Sequence, residues 1–568
     1  MYSELIKSLE PKPYLNITWY QGEDAYSEGD VEDMVVCLIA ENEPEKYVEA
    51  IADNYSWSTF YHLTHIRKNI LNWYPFKENA SVLEIGCGMG AITGLLCDKC
   101  ARVTAVELSK RRATGTLLRC REKDNLEIIV GNLNDIEFTE KFDYITLIGV
   151  LEYQGSYTHS ENPYLDFLKK VKQLLKPDGK LLIAIENQYG LKYWCGAKED
   201  HTGVPFEGMN QYSLSKKQVR TFSKAALDEL VKASGFNKTY FYYPMPDYKM
   251  PAVVYSQDYL PKQANMMDVQ YYYVPDMSTL VAQENKIYAD VIQNGVFEFF
   301  ANSFLVECTV NGEIGTVPFA TMSSMRYPEY QIGTRFWQQD RVEKFLLYPQ
   351  EGLAHLQQIL ENEQALKDRG LKVWNSEPGH NMVTTVYSKA PTLEEVLLDA
   401  YRKGDADKVY ALFDSLYTQI LQSSEEVSWE ENIMYTFGLE IEPSQEQYGV
   451  ILKTGYLDMI PRNAFWQDGE ICWFDQEWTL ENVPARFVFY RALLRFYNSY
   501  EEVNRVISIS TMVQRYDLLK GWKEFKQLED LFSGVVNDSL HMAEWNGFID
   551  VEGTAHIANL NRMLEKRS

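Results

Sequence analysis

The sequence is 568 residues long, which gives room for two or three domains. Its formal net charge of -26 repels phosphate backbones, so we expect no nucleic-acid partner. No apolar stretch reaches the roughly 18 residues that a membrane-spanning helix needs, and the scattered cysteines fit reduced thiols better than a disulfide framework. We therefore expect a cytoplasmic protein without a membrane span, which reaches the inner face of the membrane only through partners.

Residues 1–80 are acidic and helical in pattern, and we expect them to cover the ligand site of the domain that follows. Residues 81–262 alternate helical stretches with short apolar strands, among them "SVLEI", "RVTAVE", "LEIIV" and "FDYITLI". This alternation predicts an α/β, Rossmann-like domain with a mostly parallel, doubly wound sheet. Ligands of such sheets bind at the carboxyl ends of the strands.

A glycine-rich turn follows the first of these strands, in "VLEIGCGMG". Glycines at 86, 88 and 90 permit a tight bend from strand to helix and let the backbone approach a ligand closely. Glu107 ends the second strand, where an acid can accept hydrogen bonds from both hydroxyls of a ribose. Nicotinamide enzymes use the same arrangement, so the turn alone predicts only a nucleotide site.

Three further features favour one class of nucleotide-binding enzyme over the nicotinamide enzymes. Glu84 precedes the turn, where an acid can meet a cationic amino-acid group; Asn132 and Leu133 follow the third strand; and "LLKPDGKLLIAIEN" gives a helix, a turn and a fifth strand. With these features the stretch resembles a class I S-adenosylmethionine (SAM) methyltransferase. The resemblance implies that the glycines line the methionine and ribose, that Glu107 binds the ribose and that Asn132 and Leu133 flank the adenine. The implied cofactor-binding residues are Glu84, Gly86, Cys87, Gly88, Gly90, Glu107, Asn132 and Leu133.

Two stretches should face the methyl group: "GVLEYQ" after the fourth strand and "ENQYGLKYWCGAKEDHTGVPFEG" after the fifth. The second resembles loops in methyltransferases of bacterial polysaccharide gene clusters. His201 in this loop is a candidate general base for a sugar hydroxyl. The alternative, equally open, is that His201 or Asp200 only anchors the loop.

A different motif lies in the second half, in "YLDMIPRNAFWQDGEICWFDQEW". Asp458, Asn463 five residues later and Asp475 at the end of the next strand follow the order of a protein-kinase catalytic loop and metal-binding acid. This resemblance implies that Asp458 orients the substrate hydroxyl. It also implies that Asn463 and Asp475 hold Mg²⁺ on the phosphates of ATP.

The residues upstream should then form the smaller lobe of a kinase. Lys344 is the only lysine in the second of two predicted strands and is the candidate phosphate-binding lysine. Glu363, on the predicted helix that follows, should point toward Lys344, with Glu361 as the alternative. We find no glycine-rich loop at the usual distance before Lys344, so a pseudokinase remains an alternative to an active enzyme. The predicted domain is an α+β, two-lobed kinase-like domain, with an N-lobe at 263–390 and a C-lobe with a helical tail at 391–568.

The order of the two domains resembles the bifunctional kinase–methyltransferases that cap bacterial O-antigen and other surface-polysaccharide chains. This resemblance implies a bifunctional enzyme that uses SAM, ATP and Mg²⁺ on the terminus of a glycan or glycolipid. Glycosyltransferases of the same pathway are the implied protein partners. Two alternatives stay open: a sugar O-methyltransferase whose kinase-like domain binds glycan without chemistry, and a scaffold that recruits glycosyltransferases.

Overall fold

The computed structural model describes residues 2–24, 29–215, 218–262, 272–338, 340–439, 445–549 and 553–565. The chain forms two compact units. The first unit comprises Met1–Met322 and Ser539–Ser568, and the second comprises Ser323–Asp538. No helix among the described residues is both long and apolar enough to cross a membrane.

The first unit is built on one twisted sheet. Its strands are β1 Tyr14–Asn16, β2 Ser81–Ile85, β3 Arg102–Glu107, β4 Leu126–Val130, β5 Phe142–Ile148, β6 Leu175–Glu186, β7 Lys238–Met245, β8 Val253–Ser256, β9 Ser303–Thr309 and β10 Phe319–Met322. They lie in the order β1-β4-β3-β2-β5-β6-β9-β7-β8-β10. Pairing is parallel from β1 to β6 and antiparallel from β6 to β10.

The strand order explains where a ligand can bind. After β2 the chain runs outward through β3 and β4, and it then returns to place β5 on the other side of β2. Such a reversal opens a crevice at the carboxyl ends of the two central strands. The α/β Rossmann-like fold predicted for this part of the chain is therefore present.

Helices of the first unit accompany the strands because the fully buried strands need partners. They are α1 Tyr2–Leu9, α2 Val31–Glu41, α3 Tyr47–Asp53, α4 Trp57–Leu63, α5 Asn69–Asn72, α6 Thr93–Lys99, α7 Lys110–Arg119, α8 Gln154–Tyr157, α9 Pro163–Gln173, α10 Leu191–Trp194, α11 Lys224–Ala233, α12 Tyr288–Gln293 and α13 Phe297–Phe300.

The second unit has a small antiparallel sheet and a larger, mainly helical part. Its strands are β11 Ile332–Trp337, β12 Arg341–Leu346, β13 Ser376–Gly379, β14 Met382–Val386, β15 Glu426–Val427, β16 Ile451–Tyr456, β17 Ala464–Gln467, β18 Glu470–Trp473 and β19 Thr479–Pro484. The small sheet has the order β11-β12-β14-β13, and the others are β15-β16-β19 and the hairpin β17-β18.

The helices of the second unit are α14 Leu353–Asp368, α15 Leu393–Arg402, α16 Ala406–Gln422, α17 Ile433–Thr436, α18 Gln445–Tyr448, α19 Ala485–Ser499, α20 Ile509–Arg515 and α21 Trp522–Val536. Leu356 and Ile359 of α14 pack with Ile332, Leu346 and Val383 of the small sheet. A separate and larger core surrounds the buried helix α19. The kinase-like assignment of this unit stays a prediction.

The unit boundaries differ from the predicted domains in two places. The predicted boundary at 262/263 borders residues 263–271, which lie outside the described residues. β9 was assigned to the kinase N-lobe, yet it is fully buried between β6 and β7 of the first unit. The last helices, α22 Ser539–Asn546 and α23 Thr554–Glu565, also belong to the first unit and not to the C-lobe.

Candidate functional site

The crevice of the first unit contains a cavity of about 450 Å³. Residues at the ends of β2, β3, β4 and β5 line one side of it, and residues of α4 line another. The glycine turn and Glu107 form one part of the lining. Another part, which we call the charged end, is formed by Glu152, Asp200, His201 and Lys249.

The glycines of the turn have different surroundings. All three of Gly86, Gly88 and Gly90 have positive φ, at +78°, +58° and +77°. A Cβ on Gly86 would lie 2.5 Å from Val150, whereas one on Gly88 would meet nothing within 4 Å, so only Gly88 presents open space. Gly90 was predicted to line the cofactor, but it is not among the cavity-lining residues. It packs against α7 instead, where a Cβ placed on Gly90 would lie 3.1 Å from Cα of Thr116.

Glu107 is held in place by the backbone. Its carboxylate accepts hydrogen bonds from the N–H groups of Gly88 at 2.8 Å and Ser109 at 3.0 Å. Burial raises the pKa of Glu107, and the nearby Arg112 and these N–H groups oppose the rise. Each carboxylate oxygen has further lone pairs, so the side chain can still accept hydrogen bonds from two hydroxyl groups in the cavity.

Cys87, Asn132 and Leu133 also line the cavity. The amide of Asn132 donates to the carbonyl oxygen of Tyr157 at 3.2 Å, and its oxygen accepts from the N–H of Asn134 at 3.0 Å. These bonds fix the side chain at the end of β4, beside Leu133. The predicted contact of Asn132 and Leu133 with adenine stays a prediction.

Glu84 is placed differently from the other predicted cofactor residues. It is buried in β2 and is not among the residues that line the cavity. Burial raises the pKa of Glu84 to about 7, although Arg67 opposes the rise. The predicted contact between this carboxylate and a cationic amino-acid group is therefore not prepared in the structure.

Aromatic residues of α4, which the sequence analysis did not single out, form another wall. Trp57 and Tyr61 line the cavity, and the guanidinium of Arg67 lies 4.0 Å from the centre of the Tyr61 ring. Trp57 stacks on Tyr273 with ring centres 5.3 Å apart. The signal available in the sequence is the aromatic spacing of "WSTFYHL", which is equally typical of a core helix.

The segment after Asp538 supports this aromatic wall. Phe548 contacts Tyr55, Trp57 and Phe60 with ring centres 5.1 to 5.3 Å apart. Its carbonyl oxygen accepts a hydrogen bond of 2.7 Å from the N–H of Val274, another cavity-lining residue. Residues late in the chain therefore hold residues that contact the ligand space.

His201 is fixed by three contacts at the charged end. Its Nδ1 lies 3.1 Å from the hydroxyl of Tyr153, and its Nε2 lies 3.2 Å from Glu186 and 4.0 Å from Glu152. Burial disfavours a charged ring, but the carboxylates of Glu186 and Glu152 outweigh this effect and raise the pKa of His201 to about 9. A protonated ring cannot accept a proton, so these contacts favour the loop-anchoring alternative over the general base.

A buried ionic network continues behind His201. Lys192 pairs with Asp200 at 2.9 Å and Asp247 at 3.2 Å, and Lys249 pairs with Asp200 at 2.9 Å and with Glu186. Three cations, Lys192, Lys249 and protonated His201, thus match three acids. Asp200 takes part in this network, which is what we expect if Asp200 anchors the loop.

Besides Glu199, whose carboxylate accepts from the N–H groups of His201 and Thr202, a further acid, Glu152, lies next to this network. It is 0% exposed, and neither carboxylate oxygen has a hydrogen-bond partner among the described residues. Burial raises the pKa of Glu152 to about 8, although His201 opposes the rise. A buried carboxyl without partners is costly, so Glu152 is the group at this end that most needs a ligand.

The second unit brings several predicted residues together. Lys344 on β12 contacts the carboxylates of Asp475 and, at 2.5 Å, Glu477. Glu477 also pairs with Arg326 at 2.7 Å. The sequence analysis did not select Glu477, although it belongs to the same "DQE" triplet as Asp475.

Glu363 does not form the predicted pair with Lys344. Its carboxylate accepts hydrogen bonds from the backbone N–H of Ser376 at 3.0 Å and from the hydroxyl of Ser376 at 2.6 Å. The position of Glu363 along α14 places its carboxylate over the start of β13. Lys344 is instead neutralised by the acids that follow β18.

Asp458 and Asn463 lie beside these acids. The carboxylate of Asp458 accepts from the N–H groups of Glu477 at 3.0 Å and Trp478 at 3.2 Å, and burial raises its pKa. The amide of Asn463 lies 3.4 Å from the carbonyl oxygens of both Asp458 and Asp475. The residues predicted for Mg²⁺ and substrate are therefore neighbours in space, and their roles stay predictions.

Comparison with known proteins finds a family for part of the first unit. Residues 59–240 match a family model described as a methyltransferase domain. This part of the chain is a class I SAM-dependent methyltransferase domain.

Curated relatives match over the same region. Malonyl-[acyl-carrier protein] O-methyltransferase of Priestia megaterium is 31% identical over 127 residues, 22% of this chain and 42% of that protein. Nodulation protein S of Bradyrhizobium diazoefficiens is 34% identical over 127 residues, 22% of this chain and 59% of that protein. The chain thus spans about half the length of these relatives.

Solved structures that are similar to this chain include the N-methyltransferase NodS from Bradyrhizobium japonicum WM9 in complex with S-adenosyl-L-homocysteine. It is 19% identical, with a TM-score of 0.22, over 27% of this chain and 78% of that one. A complex of the Haloferax volcanii Trm112 activator with a methyltransferase is 15% identical, with a TM-score of 0.28, over 48% of this chain and 96% of that one.

Proposed function

We propose that the first unit transfers a methyl group from SAM to an acceptor bound at the charged end of its cavity. The observation that carries this proposal is the cavity itself, which joins a nucleotide-type turn to a cluster of charged side chains. Gly88 offers open space for close approach, and Glu107 keeps lone pairs for ribose hydroxyls. The residues present therefore fit the cofactor.

Bound there, SAM would supply a methyl group that is already activated by its attachment to a sulfonium. The protein then has to hold the acceptor in line with the methyl carbon and keep water away, because placement supplies much of the rate. Trp57 and Tyr61 line one wall of the cavity, and Glu152, Asp200, His201 and Lys249 bring four ionisable groups together at the charged end. We place the acceptor there for this reason.

The test is titration calorimetry of the full chain with SAM and, separately, with NAD. We expect SAM to bind with one site per chain and NAD to bind far more weakly. Tight binding of NAD without binding of SAM would overturn the proposal.

For the second unit, we propose a kinase-like activity that uses ATP and Mg²⁺. The supporting observation is the group of Lys344, Asp458, Asn463 and Asp475, all within one neighbourhood of described residues. Lys344 would bind phosphate, and Asn463 and Asp475 would hold the metal ion that neutralises developing charge. Asp458 would orient the acceptor hydroxyl.

Phosphoryl transfer needs the metal clamp, so Asp475→Asn should abolish Mg²⁺-dependent consumption of ATP. SAM binding should be unchanged, because Asp475 belongs to the other unit. ATP consumption measured with and without Mg²⁺, on wild type and variant, checks this expectation. If wild-type protein neither binds nor consumes ATP in Mg²⁺, the second unit is a pseudokinase.

The proposed substrate of both units is the terminus of a surface glycan or glycolipid, in the bacterial cytoplasm, with glycosyltransferases as partners. The resemblance of the domain order supports this assignment. A sugar O-methyltransferase with a non-catalytic, glycan-binding second unit is the alternative, and a scaffold for glycosyltransferases is a further one. Mass spectrometry of the surface glycan with and without the protein separates them: loss of both methyl and phosphate supports the bifunctional enzyme.

A further inference from the structure

Three potential metal ligands converge at the charged end. A carboxylate oxygen of Glu152, one of Glu186 and Nε2 of His201 all lie within 4.8 Å of one another. Glu186 is the last residue of β6, Glu152 lies in the short turn after β5, and His201 lies in the loop after α10. The ligands therefore come from the carboxyl ends of two neighbouring strands and from the loop above them.

We propose that Glu152, Glu186 and His201 bind a divalent transition-metal ion, of the Mn²⁺ or Zn²⁺ class, beside the methyl acceptor. Two ligands that each lie about 2.1 Å from an ion are at most about 4.2 Å apart. The separations of Nε2 of His201 from Glu186, 3.2 Å, and from Glu152, 4.0 Å, already meet this limit. The third pair, the two carboxylates, lies within 4.8 Å, so at most a small approach completes the set.

The charge balance of the network supports a cation at this point. Lys192 and Lys249 pair with Asp200, Asp247 and Glu186, and Glu152 is left as a fully buried carboxyl whose oxygens have no hydrogen-bond partner among the described residues. Buried charges are paired or bind metal. A divalent ion would compensate the charge of Glu152.

The side chains around the three ligands would hold them in the correct orientation. The hydroxyl of Tyr153 lies 3.1 Å from Nδ1 of His201 and so can accept a hydrogen bond from Nδ1–H, which leaves the Nε2 lone pair for the ion. Lys249 and the hydroxyl of Tyr248, at 3.3 Å, contact Oε1 of Glu186, which leaves Oε2 directed at His201. Such outer contacts fix ligand geometry in metal sites. One imidazole with two carboxylates is a mixed donor set that suits Mn²⁺, Fe²⁺ or Zn²⁺ better than Ca²⁺.

With three protein ligands, the ion would keep positions open toward the cavity, which Glu152 and His201 line. A phosphate acceptor would be held there through one of its oxygens, and a hydroxyl acceptor would lose its proton to water more readily. In either case an oxygen of the acceptor would form the bond to the methyl carbon while the carbon–sulfur bond breaks and the electron pair of that bond stays on sulfur. This role rests on the proposed methyltransferase function, whereas the metal site itself does not.

The test is a titration of full-length protein with Mn²⁺, in which the free ion is followed by electron paramagnetic resonance. Protein carrying Asp475→Asn serves as the background, and ATP is left out, so that the second unit does not contribute a Mn²⁺ site. We expect one bound ion per chain, with affinity lowered at least tenfold by Glu152→Gln and by His201→Gln. Pulsed measurements should show an imidazole nitrogen on the ion that disappears in His201→Gln.

Glu284→Gln is the matched control, because Glu284 is another buried acid of the first unit but lies outside the cavity lining. It should bind Mn²⁺ like the background protein. The inference is overturned if neither Mn²⁺ nor Zn²⁺ binds, or if the ions bind the two ligand variants as tightly as the background. Thermal unfolding confirms that the variants are folded. Parallel titration of the background protein with SAM separates the two proposals: SAM binding without metal binding rejects only the metal site.

Discussion

Two backbone N–H groups, of Gly88 and Ser109, donate to the carboxylate of Glu107 and leave its remaining lone pairs facing the cavity. Glu107→Ala would remove the acceptor for two ribose hydroxyls and also leave the Gly88 N–H without its partner. We expect SAM affinity to fall by about 2–3 kcal/mol, or roughly 30- to 150-fold. Titration calorimetry measures this loss.

Glu127→Ala is the control for Glu107→Ala, because Glu127 lies on the neighbouring strand β4 and does not line the cavity. Its SAM affinity should equal that of the wild type. Equal affinities for all three proteins would contradict the assignment of Glu107 to the ribose.

The buried carboxyl of Glu284 leads to a prediction on how the stability of the fold depends on pH. Burial raises its pKa to about 7, although a hydrogen bond of 3.0 Å from Asn302 opposes the rise. Between about pH 4.5 and 7 the folded state therefore holds a proton that the unfolded state has lost, so this group lowers the stability as the pH rises through that window. The loss is on the order of 3 kcal/mol and is complete above pH 7.

Glu284→Gln should remove this loss. Urea unfolding should show the variant more stable than wild type at pH 8, by about 1–3 kcal/mol, and nearly equal to it at pH 5. A difference between the two proteins that is the same at both pH values would show that ionisation of Glu284 is not the cause.

Residues within the local motifs could be predicted from the sequence, and residues placed by tertiary packing could not. The turn at Gly86 and Gly88 and the acid Glu107 follow directly from the ends of two strands, so spacing alone located them. The partner of Lys344 depends on how α14 lies on the small sheet, and the sequence favoured Glu363 where the structure has Asp475 and Glu477. Glu152 lies in a stretch predicted to face the methyl group, but its lack of partners is visible only in three dimensions.

At the scale of elements, β9 shows why the domain boundary was predicted too early. The sequence of β9, "SFLVECT", is typical of a strand, but nothing local indicates that it pairs with β6 and β7, whose paired residues lie more than 60 positions earlier. A strand with distant partners has no signal in spacing or turn residues. The alternating pattern of β2 to β6, by contrast, was sufficient to predict the parallel half of the sheet.

The segment around Phe548 is the second element that sequence patterns assigned to the wrong unit. Phe548→Ala should destabilise the first unit by about 2–4 kcal/mol, because a buried ring in contact with Tyr55, Trp57 and Phe60 is lost. SAM affinity should also fall, because Trp57 lines the cavity. Thermal unfolding and calorimetry measure the two effects.

Leu519→Ala is the control for Phe548→Ala, because Leu519 is 67% exposed and belongs to the second unit. It should leave both the unfolding temperature and SAM binding unchanged. If Phe548→Ala behaves like this control, the late segment does not support the cavity wall.

At the scale of the whole molecule, the two proposed activities have an expected order. A phosphate monoester is already anionic and needs only placement against the methyl group, whereas a sugar hydroxyl must lose a proton. We therefore expect phosphorylation first and methyl transfer to the new phosphate. Asp458→Ala protein should then neither phosphorylate nor methylate an unphosphorylated glycan, yet it should methylate a phosphorylated one at the wild-type rate.

The comparison of these two glycans is made by mass spectrometry of the products. His201→Ala protein given the phosphorylated glycan reports whether this residue is needed once the acceptor is anionic. Normal methylation of the unphosphorylated glycan by Asp458→Ala protein would contradict the expected order.

The return of the chain to the first unit after Asp538 has a consequence for biosynthesis. A ribosome makes Met1–Met322 first, but Phe548 appears only after all of Ser323–Asp538 has been translated. At typical speeds of synthesis this interval is roughly 10–40 s. During that time the aromatic wall lacks its late partner, so a nascent chain that is interrupted within the second unit should leave an exposed apolar surface around Trp57 and Phe60 for chaperones to bind.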